Sequence, residues 1–214
     1  MKRLMIVGAL VGAGVGAGLL ASCTTMSKDE CLVGAWGEKG YADGAAGYPM
    51  SRLDDHAQAC AKYQVAPNPA AYGSAREDGL RTYCTFERGW IEGRAGNTYY
   101  GVCRPEEEAA FVPAYRDGLG LHEVEAAVEA AEGALNRAEA RIDNRQDKLE
   151  VKQNELRGEN LTDEERERIR DRIQEVRGEI RDARRDAREA RDALDRAEAD
   201  LFLVRRELSG RYPV

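Results

Sequence analysis

Histidine is nearly absent from this 214-residue chain, with two in all, and no cysteine follows residue 103. A histidine-built metal centre is thereby disfavoured. His122 stands alone, while His56 has Asp54 and Asp55 beside it and Cys60 on the same predicted helix face. Metal sites usually take three or four ligands at recognisable spacing, so packing is the preferred reading of both imidazoles, with His56 kept as a weak candidate. Phosphate-cradling glycine loops ending in Lys-Ser/Thr, nucleophile elbows and zinc-hydrolase motifs are also missing. No cofactor and no catalytic residue is therefore expected. An excess of basic charge is lacking too: the formal net charge is −7, which argues against nucleic acid, where Lys and Arg do the binding. Long apolar runs are absent apart from the uncharged, glycine-rich stretch 4–20. It falls short of the roughly 20 residues that a spanning helix needs.

That stretch follows Met1-Lys2-Arg3 and runs into Leu20-Ala21-Ser22-Cys23. A basic start, an apolar run and small residues before a cut are the marks of a secretory signal peptide. Leu-Ala-Ser-Cys resembles the bacterial lipobox, which implies cleavage after residue 22 and acylation of Cys23. The expectation is a lipoprotein held on a membrane through its N-terminal lipid. Thr24 and Thr25 after Cys23 favour the outer membrane, facing the periplasm, by resemblance to lipoprotein sorting. Without residues 1–22 the chain keeps 30 Lys and Arg against 39 Asp and Glu, a net charge of about −9.

Four cysteines remain, Cys31, Cys60, Cys84 and Cys103. An even number in an exported chain reads as two disulfides. They lie in residues 31–119 with both tryptophans and a dozen glycines, whereas residues 120–208 are rich in Ala, Glu, Arg and Asp. The expected organisation is a signal peptide (1–22), a lipidated tether (23–30), a disulfide-bonded Gly/aromatic-rich domain (31–119), a helical hairpin (120–208, broken at 158–163) and a flexible end (209–214).

The first domain repeats itself. Glu38-Lys39-Gly40-Tyr41-Ala42-Asp43-Gly44-Ala45-Ala46-Gly47 matches Glu87-Arg88-Gly89-Trp90-Ile91-Glu92-Gly93-Arg94-Ala95-Gly96 at an offset of 49 residues, with weaker echoes at Glu77-Asp78-Gly79-Leu80 and Arg116-Asp117-Gly118-Leu119. Glycines three and four apart suit one face of a helix approached closely by another backbone. They suit tight turns with positive φ equally well. Neighbouring segments carry helix signals: Ser51-Arg52-Leu53-Asp54 has capping-box form, Asn68-Pro69 is a cap with proline at the first helical position, and Pro105 precedes three glutamates suited to a helix dipole. The first two helices, to about Tyr63 and Cys84, are joined by few residues and should fold back on each other. Cys60 and Cys84 would then sit roughly 16 Å apart along the pair, too far for a bridge, which needs α-carbons within about 7 Å. Cys31–Cys60 with Cys84–Cys103 is the first choice, and Cys31–Cys84 with Cys60–Cys103 the second.

The second region is the most regular. Leu121, Val128, Leu135, Ile142, Leu149 and Leu156 recur every seven residues, and Ile173, Ile180, Ala187, Leu194, Leu201 and Leu208 resume the repeat. Sustained heptads mark a coiled coil. Gly158 is placed to end one helix in the left-handed region, and Thr162 with Glu165 forms a capping box for the next. An antiparallel hairpin follows, with a coil between chains as the rival. Companion positions in the first arm run Val124, Ala131, Ala138, Arg145 and Lys152, so the tip should be less stable than the base. Leu201-Phe202-Leu203-Val204 should pack on the disulfide-bonded domain.

The pattern Cys31, Trp36, Gly40-Tyr41-x-Asp43-Gly44, Gly47, His56, Cys60, Tyr72, Gly79-Leu80, Tyr83-Cys84, Gly89, Gly93, Gly96, Tyr99, Gly101 and Cys103, continued by Phe111, Tyr115 and Gly118, resembles the DUF2799 family of bacterial lipoproteins. The resemblance implies this architecture with a helical tail and brings no established activity or ligand. The fold expected is thus mainly α: a small disulfide-bonded helical domain followed by a long antiparallel hairpin. Function is expected to be structural or protein-interacting in the cell envelope, through contact of the hairpin with another envelope protein or with itself. The alternative is a binder of envelope glycan or peptidoglycan, or an enzyme acting on it, using Tyr41, Asp43, Trp90 and Glu92.

Overall fold

The structure, a computed structural model, describes residues 25–212. All regular elements among them are helices: α1 (Lys28–Val33), α2 (Trp36–Ala45), α3 (Arg52–Ala61), α4 (Pro69–Tyr83), α5 (Phe86–Arg94), α6 (Pro105–Leu156) and α7 (Asp163–Leu208). The caps explain several starts. Ser27 and Glu30 form a capping box on α1, and hydrogen bonds from Lys39 and then Ser27 hold the Glu30 carboxyl down to about 2. Asn68 accepts from the Ala71 amide ahead of Pro69, and Thr162 with Glu165 closes the box that opens α7. Two expected devices are not used. Ser51 makes no side-chain cap; a turn in which the Arg52, Leu53 and Asp54 amides donate to Pro49, Met50 and Ser51 leads into α3 instead. Gly158 is not left-handed either, since α6 closes on right-handed Arg157 and its last amides turn back three residues.

The short helices form two pairs, α2 on α4 and α5 on the first part of α6. Gly40 and Gly44 lie so close to α4 that a Cβ on either would sit 2.1 Å from the carbonyl oxygen of Tyr72 or Arg76. Gly79 makes the approach from α4, 2.2 Å from the Tyr41 oxygen. The second pair repeats the device: Gly89 and Gly93 press on the carbonyls of Phe111 and Tyr115, and Gly118 on that of Trp90. Backbone touches backbone here, because a side chain would occupy the space of the facing carbonyl. Gly47 and Gly96 then turn with φ of +74° and +69°, and the Tyr83 and His122 rings cover them. The repeated motif thus uses glycine both ways, for close approach inside the helix and for the left-handed turn after it.

The disulfides are Cys31–Cys60 and Cys84–Cys103, the first of the two pairings considered. One core gathers Met26, Trp36, Leu53 and Tyr72 around the first bridge, and a second gathers Leu80, Tyr83 and Phe111 around the other. A third core, of Trp90, Ala114, Leu121, Leu208 and Tyr212, joins the second pair to the hairpin. Leu201 and Val204 contribute to it, while Phe202 and Leu203 point outward. Tyr212, in the segment read as a flexible end, is buried with its ring stacked 3.9 Å from that of Trp90.

α6 and α7 form the antiparallel hairpin within one chain. Ion pairs Arg205–Glu125, Arg191–Glu139, Arg141–Asp186 and Arg145–Glu179 step along the arms in opposite directions. Leu135, Ala138, Ile173, Val176, Ile180 and Ala183 are buried in its seam. Toward the tip, Leu149, Leu156, Leu161 and Ile169 are only partly covered. α6 runs through 118–120 without a break, so the change in composition there falls inside one helix.

One expectation is corrected. Among the described residues no helix is long and apolar enough to cross a membrane, and nothing in the structure carries the lipoprotein, outer-membrane or periplasmic assignment. The signal stretch 1–22 and Cys23 lie outside the described residues. The membrane assignment is withdrawn, while the disulfides and the coiled hairpin stand.

Candidate functional site

The buried polar centre of the first pair is built around Asp43. This residue follows the glycine face of α2, and its carboxylate is turned into the domain. His56 reaches it from α3 and Tyr72 from α4. His56 Nε2 donates to Asp43 Oδ2 at 2.6 Å, and the Tyr72 hydroxyl donates to the same oxygen at 2.6 Å. Burial, then the hydrogen bond to Asp43, pushes the Tyr72 phenol well above its ordinary range. A buried charge needs such partners, and each charge-assisted bond contributes about 1.5–3 kcal/mol. His56 Nδ1 is buried with no hydrogen-bond partner among the described residues. Cys60, one turn from His56, is spent in its disulfide. The cluster ties three helices together and presents no nucleophile to the imidazole.

Arg76 adds a second tie. Its Nε and Nη2 donate to the Tyr48 carbonyl at 2.9 and 2.7 Å, fixing the loop that leaves α2. The motif does not turn Tyr41 toward Asp43: Tyr41 is 48% exposed while Asp43 faces inward.

In the second pair the corresponding acid, Glu92, is buried, accepts a hydrogen bond from the Asn97 side-chain amide at 2.7 Å and forms an ion pair with Arg88, whose Nε lies 2.8 Å away. Phe111 stands where Tyr72 does and is fully buried among Tyr83, Tyr99 and Tyr115. Trp90, the counterpart of Tyr41, is covered by Tyr212, whose hydroxyl donates to Asp117 at 2.9 Å. Burial and that bond push the Tyr212 phenol up to about 12. Tyr41, Asp43, Trp90 and Glu92 therefore do not converge on an open cleft; the acids are consumed in internal hydrogen bonds and Trp90 in packing. Among the described residues no group of three or more His, Cys, Asp or Glu could hold a metal ion.

Sequence reasoning missed the partners. Tyr72 stands in the family-like pattern without a link to Asp43, and neither Arg76 nor Tyr212 is marked by any motif. The available signal was the pair of echoes around Gly79 and Gly118. Aligning them puts Tyr72 over Phe111 and Arg76 over Tyr115, which marks those positions as the faces opposite the glycines.

These features define a class: a mainly helical, disulfide-bonded domain of two glycine-faced helix pairs, with the second pair extended into a long hairpin. The family described as "Protein of unknown function (DUF2799)" matches residues 35–120. That range holds both helix pairs and ends where α6 leaves the domain, so the chain is similar to this family over its compact part. No curated protein and no solved structure matches the chain.

Proposed function

We propose that the chain is a structural and protein-interaction module of the cell envelope, acting by contact with another envelope protein or with a second copy of itself. The observation that supports this is the α6–α7 hairpin. Two helices packed on one seam bury one stripe each and leave the rest of both surfaces to other molecules. The compact domain uses its polar residues for internal ties, as at Asp43 and Glu92. Two disulfides suit an oxidising compartment outside the cytoplasm.

The test is site-specific photocrosslinking in the native cells, with the photoreactive residue placed in turn at Arg137, Val151 and Glu189 on the hairpin and at Gln58 on α3. Discrete adducts from at least one hairpin position, absent from Gln58, are expected. No adduct from any hairpin position would overturn the reading.

A further inference from the structure

We infer that the flank of α6 between Arg137 and Lys152 is a docking groove for an acidic amphipathic helix of a partner protein. The inference rests on the contact function proposed above and names the partner's chemistry. Two grooves of about 360 Å³ each meet at Asn144. One passes over Ala140 and Arg141; the other passes over Val151 and Val176 toward Lys148. Together they run about 22 Å, or four helical turns, along α6.

The sequence spacing points the same way. Arg137, Arg141, Asn144, Lys148 and Val151 succeed each other at steps of three and four, so they share one face of α6. That face lies beside the seam, not in it. Val151 is 54% exposed, the one large apolar side chain of α6 so exposed among the described residues.

Charge supplies the rest. The chain is net negative, yet this groove is lined by Arg137, Arg141, Arg145, Lys148 and Lys152, with Asp147 as the acid among its lining residues. Arg141, Arg145 and Lys152 are paired with Asp186, Glu179 and Glu155. Among the described residues Arg137 and Lys148 have no acidic partner. A floor of Ala140 and Val151, with Val176 buried behind it, under a basic rim fits a helix with an apolar stripe flanked by Glu and Asp. Phosphate backbones and lipid headgroups would use the rim and leave the floor unfilled. Docking would add a third helix beside the two.

The test uses the full chain and a fluorescein-labelled synthetic helical peptide of about 20 residues with Leu at helical spacing and Glu beside it. Its controls are a scrambled peptide of the same composition and a version with Lys for Glu. Saturable binding of the acidic peptide is expected from fluorescence anisotropy, weakening about tenfold for the scrambled form and on raising salt to about 0.5 M. Arg137→Glu with Lys148→Glu should weaken it about tenfold or more, and Val151→Ala about fivefold. These exposed positions should leave the circular dichroism spectrum unchanged. Equal binding of the scrambled peptide, indifference to the charge reversal, or no saturation up to about 1 mM peptide would overturn the inference. Tighter binding of phosphatidylglycerol vesicles, or of a short DNA duplex, lost in the same charge-reversed variant, would overturn it in favour of an anionic surface. Should adducts form from the hairpin in cells while the peptide does not bind, the contact function stands and the groove falls. Should no hairpin position give an adduct, both fall.

Discussion

The two glycine-faced pairs solve one packing problem and surround it differently. In both, helix meets helix through three glycines and a covered left-handed turn. The first pair is then locked by polar chemistry, with Asp43 receiving His56 and Tyr72. The second is locked by aromatic packing, with Phe111 among three tyrosines and Trp90 under Tyr212. The backbone arrangement is therefore the part fixed by the repeat, and the ties around it are free to differ. Polar locking closes the first pair on itself. Aromatic packing lets the second receive the end of α7 and so carry the hairpin.

The strongest way to break the comparison is to remove each pair's bridge. The loops closed by the disulfides differ, with separations of 29 and 19 residues. Loss of Cys31–Cys60 as the double serine variant should cost about 3.5 kcal/mol, and loss of Cys84–Cys103 about 3 kcal/mol. Urea unfolding of the two variants should rank them in that order. If the first pair tolerates the loss better, its polar lock outweighs loop closure.

Next come the glycines. Gly44→Ala and Gly93→Ala should each destabilise by about 2–3 kcal/mol, because the added methyl meets a carbonyl oxygen and the backbones must part. Gly37→Ala, which meets nothing within 4 Å, should instead stabilise by up to about 1 kcal/mol through helix propensity. Midpoints of chemical denaturation separate these cases, and a stabilised Gly44→Ala would show that close approach is not what holds the pairs.

Tyr72→Phe makes the first pair imitate the second. It should lose about 1.5–2 kcal/mol, the worth of a charge-assisted hydrogen bond to Asp43, measured by thermal or urea unfolding. A neutral outcome would mean that His56 alone satisfies the carboxylate.

The smallest effect tests the aromatic lock. The Tyr212 phenol is raised to about 12 in the fold, against about 10 when exposed. Its contribution is whole below pH 10 and is lost as the pH rises through 12. Relative to Tyr212→Phe, the wild-type chain should lose about 1 kcal/mol more across that window, followed by urea unfolding at each pH. Parallel pH profiles for the two would show that the hydroxyl is not held by Asp117.

The periodic parts were legible from the residues alone. Heptads gave the hairpin because Leu and Ile at seven-residue spacing admit few other solutions, and Thr162 with Glu165 marked the second arm. The bridges were legible in part: excluding Cys60–Cys84 left two pairings, of which the first is the one found. However, α4 packs on α2 and not back on α3 as that exclusion supposed. What stayed hidden depended on contacts between distant segments. Asp43, His56 and Tyr72 come from three helices, and no spacing along the chain links them. Tyr212 looked like a tail because its partners, Trp90 and Asp117, are far back in sequence. Gly158 misled for a local reason: glycine permits a left-handed stop without requiring one, and right-handed Arg157 closes the helix.

One helix, α6, belongs at its start to the second pair and over the rest of its length to the hairpin. Its portion beyond Gly118 is a rigid arm of roughly 57 Å. Sideways force on the tip would act at the root as a torque about the Gly93–Gly118 contact, with the Tyr212–Trp90 stack as the clasp that resists it. A bound partner that tilts the arm by a few degrees would disturb an aromatic stack tens of ångströms away, and Trp90 would register the load as a change in its emission.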